Sequence, residues 1–314
     1  MTKTRIFWAL KILITVFILL VLVKTIKFTE ILSALSKAEK SGVAAAVALL
    51  PLNLALQAVK WGILLKTLKQ PIKTIDIFGS LLVGFSLGLV TPGRLGEFGR
   101  AFAVRGAEPI QVAGLSVIDK LYNLVCIGLA GGLAILTLPG MILQRTFWEI
   151  LTALIVYLAG TFIVLYIALH PGFIRGVVYS ISLILPKRDK MKALIECLDG
   201  ISKQKAALVM ALTSLFYVTF ILQFFLLVNS FGNLRIIDGV RGLPAIIFAK
   251  TFLPISVGGL GVGELASVRL LEIFNLEAAA AFNASLALFA VNVLTPGIAG
   301  IIFIPKLKFK NGGR

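Results

Sequence analysis

Apolar residues run along this chain in stretches of about 20, and polar residues gather between them. A stretch of that length, wound as a helix, crosses a hydrocarbon core of about 30 Å. The pattern predicts about six full spans, at Ile6–Val23, Val43–Leu65, Val112–Leu138, Trp148–Leu169, Ala206–Asn229 and Ala278–Ile304. Two further apolar segments stop short. The first reads FGSLLVGFSLGLVTPGRLGEFGR from Phe78 to Arg100, and the second LPAIIFAKTFLPISVGGLGVGE from Leu243 to Glu264. Each ends in a proline, several glycines and a Gly-Glu pair. Ile77–Pro92 and Leu243–Val257 are too short for comfortable crossings, so both read as re-entrant hairpins. Irregular backbone at membrane depth is tolerated only where protein buries it or a cavity is lined by it. Interrupted segments at matching places in two halves point to a binding site near the bilayer midplane.

The polar segments give an orientation. Lys66, Lys69 and Lys73 follow the second predicted span with no acid before Asp76. A longer basic stretch, from Arg175 through Lys187, Arg188, Lys190 and Lys192 to Lys203 and Lys205, precedes the fifth. Lys306, Lys308, Lys310 and Arg314 close the chain. Basic connections lie on the cytoplasmic side, so both termini are expected inside, in a cell (inner or plasma) membrane. The first hairpin then enters from the cytoplasm and the second from outside, as an inverted-topology repeat requires. The expected organisation is a single transmembrane domain over 1–314. Within it lie an N-terminal span and outer loop (1–42), one repeat unit (43–138) and a connecting span with a basic loop (139–205). A second unit (206–304) and a basic tail (305–314) complete it. The first apolar run has Lys11 inside it and Lys24 and Lys27 behind it, with no small residues suited to cleavage, so it reads as a retained anchor.

Composition agrees and narrows the function. Hydrophobic residues make up 59% of the chain and mean hydropathy is +1.01, against the 45–50% apolar content typical of soluble domains. Spans and short connections consume the 314 residues and leave no room for a folded soluble domain. A net charge of +17 is explained by topology and anionic headgroups rather than by nucleic acid. Cys126 sits in a span, Cys197 in a basic loop, and the single histidine, His170, before a proline at a span end. No nucleophile–histidine–acid set, metal-ligand spacing or phosphate-cradling motif is present, so neither an enzyme nor a cofactor is expected.

The chemistry that remains is charge in apolar surroundings. Across a helix at 94–105, Arg94, Glu97 and Arg100 recur every three residues and share a face, with Arg105 near it. Arginine forks suit phosphate, and Gly93, Gly96 and Gly99 allow close approach. In the second element Gly259, Gly261 and Gly263 lead to Glu264, with Arg269 and Glu272 beyond. Glu264 and Arg269, five apart, fall on different faces. Ser116, Asp119 and Asn123 line one stripe of the third span beside Lys120; Asp119 is expected to meet an arginine of the first hairpin, and Lys120 to snorkel. Asn53, Gln57 and Lys60 form a second stripe, and Ser285, Asn292 and Thr295 a third. Together these stripes suit a polar groove, although isolated amides also serve as interhelical glue. Lys250 has no local partner in the sequence. Glu97, Asp119 and Glu264 are candidate proton carriers.

TPGRLGEFGRAF at 91–102 and PISVGGLGVGELASVRLLE at 254–272 resemble the two signature regions of the flippase-like integral membrane family. It is also called the lysylphosphatidylglycerol synthase transmembrane-region family. The resemblance covers nearly the whole chain. It implies a membrane protein that handles lipids or lipid-linked intermediates, and the translocating part only, since the soluble synthase domain is missing. By motif it carries over Arg94, Glu97, Arg100, Gly259, Gly261 and Glu264. The family's basic residue ahead of that glutamate is Gly263 here, which weakens a charge pair at that point. The expected function is transbilayer movement of an anionic phospholipid or polyprenyl-phosphate intermediate, bound by these residues with Arg105, Asp119, Lys120 and Arg269. Two alternatives stay open: a secondary transporter of a small soluble anion, and a membrane partner of a lipid-modifying or glycosyl transferase. The expected partners are an anionic lipid and such an enzyme, with no nucleic acid.

Overall fold

In the computed structural model the described residues are helical and contain no strand. The structure describes residues 28–68, 70–91, 94–139, 146–184, 198–253 and 259–306, with the single positions 20 and 195. A short α1 (Phe28–Ser36) precedes the long α2 (Lys40–Leu65). Next come α3 (Thr74–Leu89), a 3-10 helix (Leu95–Phe102), α4 (Pro109–Leu136), α5 (Phe147–Leu169) and α6 (Pro171–Ile184). The second half holds α7 (Lys203–Phe231), α8 (Ile236–Phe252), α9 (Val262–Glu272) and α10 (Ala278–Ile304).

Five of these, α2, α4, α5, α7 and α10, are long and apolar enough to cross a membrane. They coincide with five of the six predicted spans. The predicted span at Ile6–Val23 lies outside the described residues, as do Cys197 and the basic stretch at 187–192. The helix starts are written locally. Pro109 opens α4, where its missing N–H is no loss. Thr146 and Glu149 cap α5 reciprocally, and Ser202 accepts from the Lys205 amide at the head of α7. α5 buries only Ala168 and turns apolar side chains outward all round, as a helix bathed in lipid does.

The two interrupted segments are short helices followed by a fold-back. The 16 residues of α3 reach about 24 Å at 1.5 Å per residue, short of a full crossing. The 3-10 helix then packs against α3. A Cβ on Gly96 would stand 2.1 Å from the Leu87 carbonyl oxygen, so only glycine fits there. Thr91 fastens the fold-back by donating to Leu87 O (2.9 Å) and accepting from the Gly96 amide (2.6 Å). α8, 17 residues long, is likewise followed by α9 packed on it, through a turn in which Gly259 and Gly261 take φ of 80° and 83°. The intervening 92–93 and 254–258 lie outside the described residues.

Packing between the halves is reciprocal. α3 lies on α10, where Ser86 Oγ donates to Gly297 O (2.5 Å) and a Cβ on Gly300 would collide with Leu82 O. α8 lies on α4, where Gly131 leaves room for Phe248. The leading spans α2 and α7 pack together, with Gly42 against Ser230. Small residues at each contact let the helices approach closely, as van der Waals-driven association in lipid demands. Two apolar clusters result. One centres on Trp61, Leu64, Leu115 and Ile118, the other on Phe224, Leu227, Leu243 and Leu271.

Candidate functional site

A cavity of about 330 Å³ is walled by residues of both clusters and by polar groups from both halves. Lys60 from α2, Arg94 and Arg100 at the 3-10 helix, Lys120 from α4 and Lys250 from α8 line it, with two carboxylates, Glu97 and Asp119. Among the lining side chains cations outnumber carboxylates, and a third carboxylate, Glu264, lies buried behind the wall.

The local geometry shows why these residues converge. The segment expected as a helix over 94–105 is a 3-10 helix from Leu95 to Phe102, and Arg94 stands just ahead of it in the left-handed region (φ 57°). With three residues per turn, Glu97 and Arg100 eclipse one another and both face the cavity. Each carboxylate is gripped by two cations. Glu97 Oε1 lies 2.5 Å from Arg94 Nε, and its Oε2 2.7 Å from Lys120 Nζ. Asp119 Oδ1 lies 3.0 Å from Lys60 Nζ, and its Oδ2 3.0 Å from Arg100 Nη2. Asp119 therefore meets an arginine of the first hairpin, as the sequence predicts. Lys120 does not snorkel, because Glu97 holds its ammonium inside.

Arg100 is committed on every side. Its Nε donates to Ser116 Oγ (2.8 Å), its guanidinium lies 3.8 Å from the Trp61 ring centroid, and the residue is 5% exposed. Trp61 is held in turn by Nε1 donating to Ser80 Oγ. Arg94, by contrast, keeps about a third of its side chain exposed. The amide stripes join across the halves. Gln57 donates to Asn53 Oδ1 (3.0 Å), and Asn53 Nδ2 donates to Gln223 Oε1 (2.7 Å) and Asn292 Oδ1 (3.1 Å). Gln223 passes the chain on to Ala46 O. Asn53, Gln57, Ser285 and Asn292 line the cavity, so the predicted groove exists; Thr295 is exposed outside it.

Among the predicted site residues, Arg94, Glu97, Arg100, Asp119, Lys120 and Gly259 line the cavity. Glu264 is fully buried behind its wall, accepting from the Gly261 amide (2.6 Å) and from Ser285 Oγ (3.1 Å). Gly261 and Glu264 therefore shape the wall. Arg105 and Arg269 are not brought in. Arg105, 59% exposed, faces Asp76 at 3.8 Å, and Arg269, 71% exposed, faces Glu272 at 3.7 Å. The cavity residues that sequence reasoning passed over, Phe216 and Tyr217, come from α7, as does Gln223 behind them. Gln223 is the readable signal there: an amide in the middle of a long apolar run needs a partner.

A family model described as "Lysylphosphatidylglycerol synthase TM region" matches residues 8–300. The chain belongs to that family, one of membrane proteins of lipid metabolism or transport. No curated protein matches the chain.

Proposed function

Starting from that membership, we propose that this protein moves an anionic, phosphate-bearing lipid between leaflets. The headgroup occupies the cavity while acyl or polyprenyl tails remain in the bilayer, and no covalent bond is made or broken. The observation that carries this reading is the surplus of cations over carboxylates lining a polar cavity walled by apolar helices. A cation at membrane depth without a counter-charge costs about 2.5–3.5 kcal/mol on insertion scales, so such an excess is retained for an anion that visits. The fold-backs α3/3-10 and α8/α9 are read as re-entrant hairpins meeting from opposite sides. Their reciprocal packing on α10 and α4 supports two inverted repeats that rock against each other to open the cavity to each leaflet in turn.

The test is reconstitution of the full chain in phosphatidylcholine vesicles carrying traces of head-labelled phosphatidylglycerol or polyprenyl phosphate. Leaflet exposure is followed by quenching from outside. Protein vesicles should expose the labelled anionic lipid faster than empty ones, and neutral phosphatidylcholine no faster. Unchanged exposure of every anionic lipid, with uptake of radiolabelled inorganic phosphate into the lumen, would instead establish a soluble-anion carrier.

A further inference from the structure

The charges in the cavity are not equally available. Four of the five cations are held against Glu97 or Asp119 at 2.5–3.0 Å. Lys250 alone has no carboxylate within 4 Å among the described residues. Glu264, the carboxylate on the adjoining α9, is engaged by the Gly261 amide and by Ser285. The stem of Lys250 lies over the glycines of the α8–α9 turn: a Cβ on Gly259 would meet its Cε at 2.5 Å, and one on Gly263 its Nζ at 3.2 Å. These glycines clear the space in which the ammonium sits, beside the N-terminus of α9.

A second unspent donor lines the same cavity. Asn292 is 7% exposed, and its Nδ2 has no acceptor. It sits in a π turn, Ala290–Leu294, where the Thr295 amide reaches back to Ala290 O because Pro296 follows. Proline cannot donate to residue 292 and its ring clashes with that carbonyl, so the helix widens at Asn292. A buried amide donor left unpaired is expensive, and an anion's oxygen in the cavity would satisfy it.

Resting on the reading that the cavity takes a phosphate-bearing anion, we infer that Lys250 and the Asn292 side-chain amide form the subsite that binds the phosphate oxygens. Lys60 and Arg100 hold Asp119, and through it the first half, in place; they are positioning residues. An incoming anion gains most at Lys250, where no carboxylate must be displaced.

The experiment uses the full chain in detergent and three probes: phosphatidylglycerol, a polyprenyl phosphate and inorganic phosphate. Retention of each is compared for wild type, Lys250→Gln, Lys250→Arg, Asn292→Leu and the surface control Arg175→Ala. Native mass spectrometry reads the lipids and calorimetry the free ion. The expected result is a lipid phosphate held by wild type, about tenfold less or lower with Lys250→Gln, and a smaller loss with Asn292→Leu. Lys250→Arg and Arg175→Ala should retain it. Removing an unpaired buried cation relieves desolvation, so Lys250→Gln without lipid should melt no lower than wild type. Inorganic phosphate bound by wild type and lost with Lys250→Gln, with no lipid retained, keeps the subsite and refutes the lipid reading. Equal retention by wild type and Lys250→Gln, a lower melting point for Lys250→Gln, or a wild type that takes no probe overturns the inference.

Discussion

At the residue scale the cavity is organised around two carboxylates, each shared by two cations. Asp119 is the more deeply set: its side chain is 8% exposed, and those of Lys60 and Arg100 are 3% and 6%. Asp119→Asn would leave two buried cations facing an amide, and breaking a buried pair of this kind typically loses about 3–5 kcal/mol. We expect a large fall in thermal midpoint, and a smaller one for Lys120→Met, whose side chain is 28% exposed. Scanning fluorimetry of the two variants checks the order; equal falls would contradict it. The three-residue spacing of Arg94, Glu97 and Arg100 was legible in the sequence because i and i+3 share a face in either helix type. The fate of Lys120 was not, since its partner lies 23 residues away on another element. Lys250 was legible as a lysine without a local partner, but that no carboxylate comes within 4 Å of it among the described residues is a fact of three dimensions.

At the element scale the spans were the easiest part to read, and their ends the hardest. α7 begins at Lys203, three residues before the apolar run that announces it, because lysine stems extend a helix into the interface. The breaks were visible as proline and glycine, but their consequences depend on contacts. Gly96 shows this best. An added methyl would press on the Leu87 carbonyl oxygen, a backbone atom that cannot rotate aside. Gly96→Ala should therefore destabilise by at least about 1–3 kcal/mol and weaken lipid retention as Glu97 and Arg100 shift. Gly160→Ala, a control on the outward-facing α5 with open space around its Cβ position and ordinary helical backbone, should be neutral or slightly stabilising. A Gly96→Ala protein with wild-type melting and binding would show that the 3-10 helix does not depend on this approach. The π turn offers the complementary case. Pro296→Ala restores an amide able to bond to Asn292 O, closing the turn and withdrawing the Asn292 side chain. Thermal stability should hold or rise while bound lipid falls severalfold; a fall in stability with unchanged lipid would contradict this account.

For the whole molecule, reciprocity constrains topology. α3 lies on the last span of the second half, α8 lies on the last span of the first, and the leading spans α2 and α7 pair. Two units related by a twofold axis in the membrane plane would make these contacts in matched pairs, and such an axis puts equivalent points of the units on opposite sides. Under that relation the connection before α3 and the connection before α8 would be equivalent points. Lys73 and Arg235, the residues that immediately precede the two helices, are both exposed. With Cys126 and Cys197 replaced by serine, Lys73→Cys and Arg235→Cys proteins can be treated in intact cells with a membrane-impermeant maleimide. Arg235→Cys should label at once, and Lys73→Cys only after permeabilisation, if the lysine-rich connection follows the positive-inside rule. Labelling of both from the same side would remove the inverted relation and with it the rocking mechanism. The cavity and its charge would remain, but they would then have to open to the two leaflets by some route other than exchange between equivalent halves.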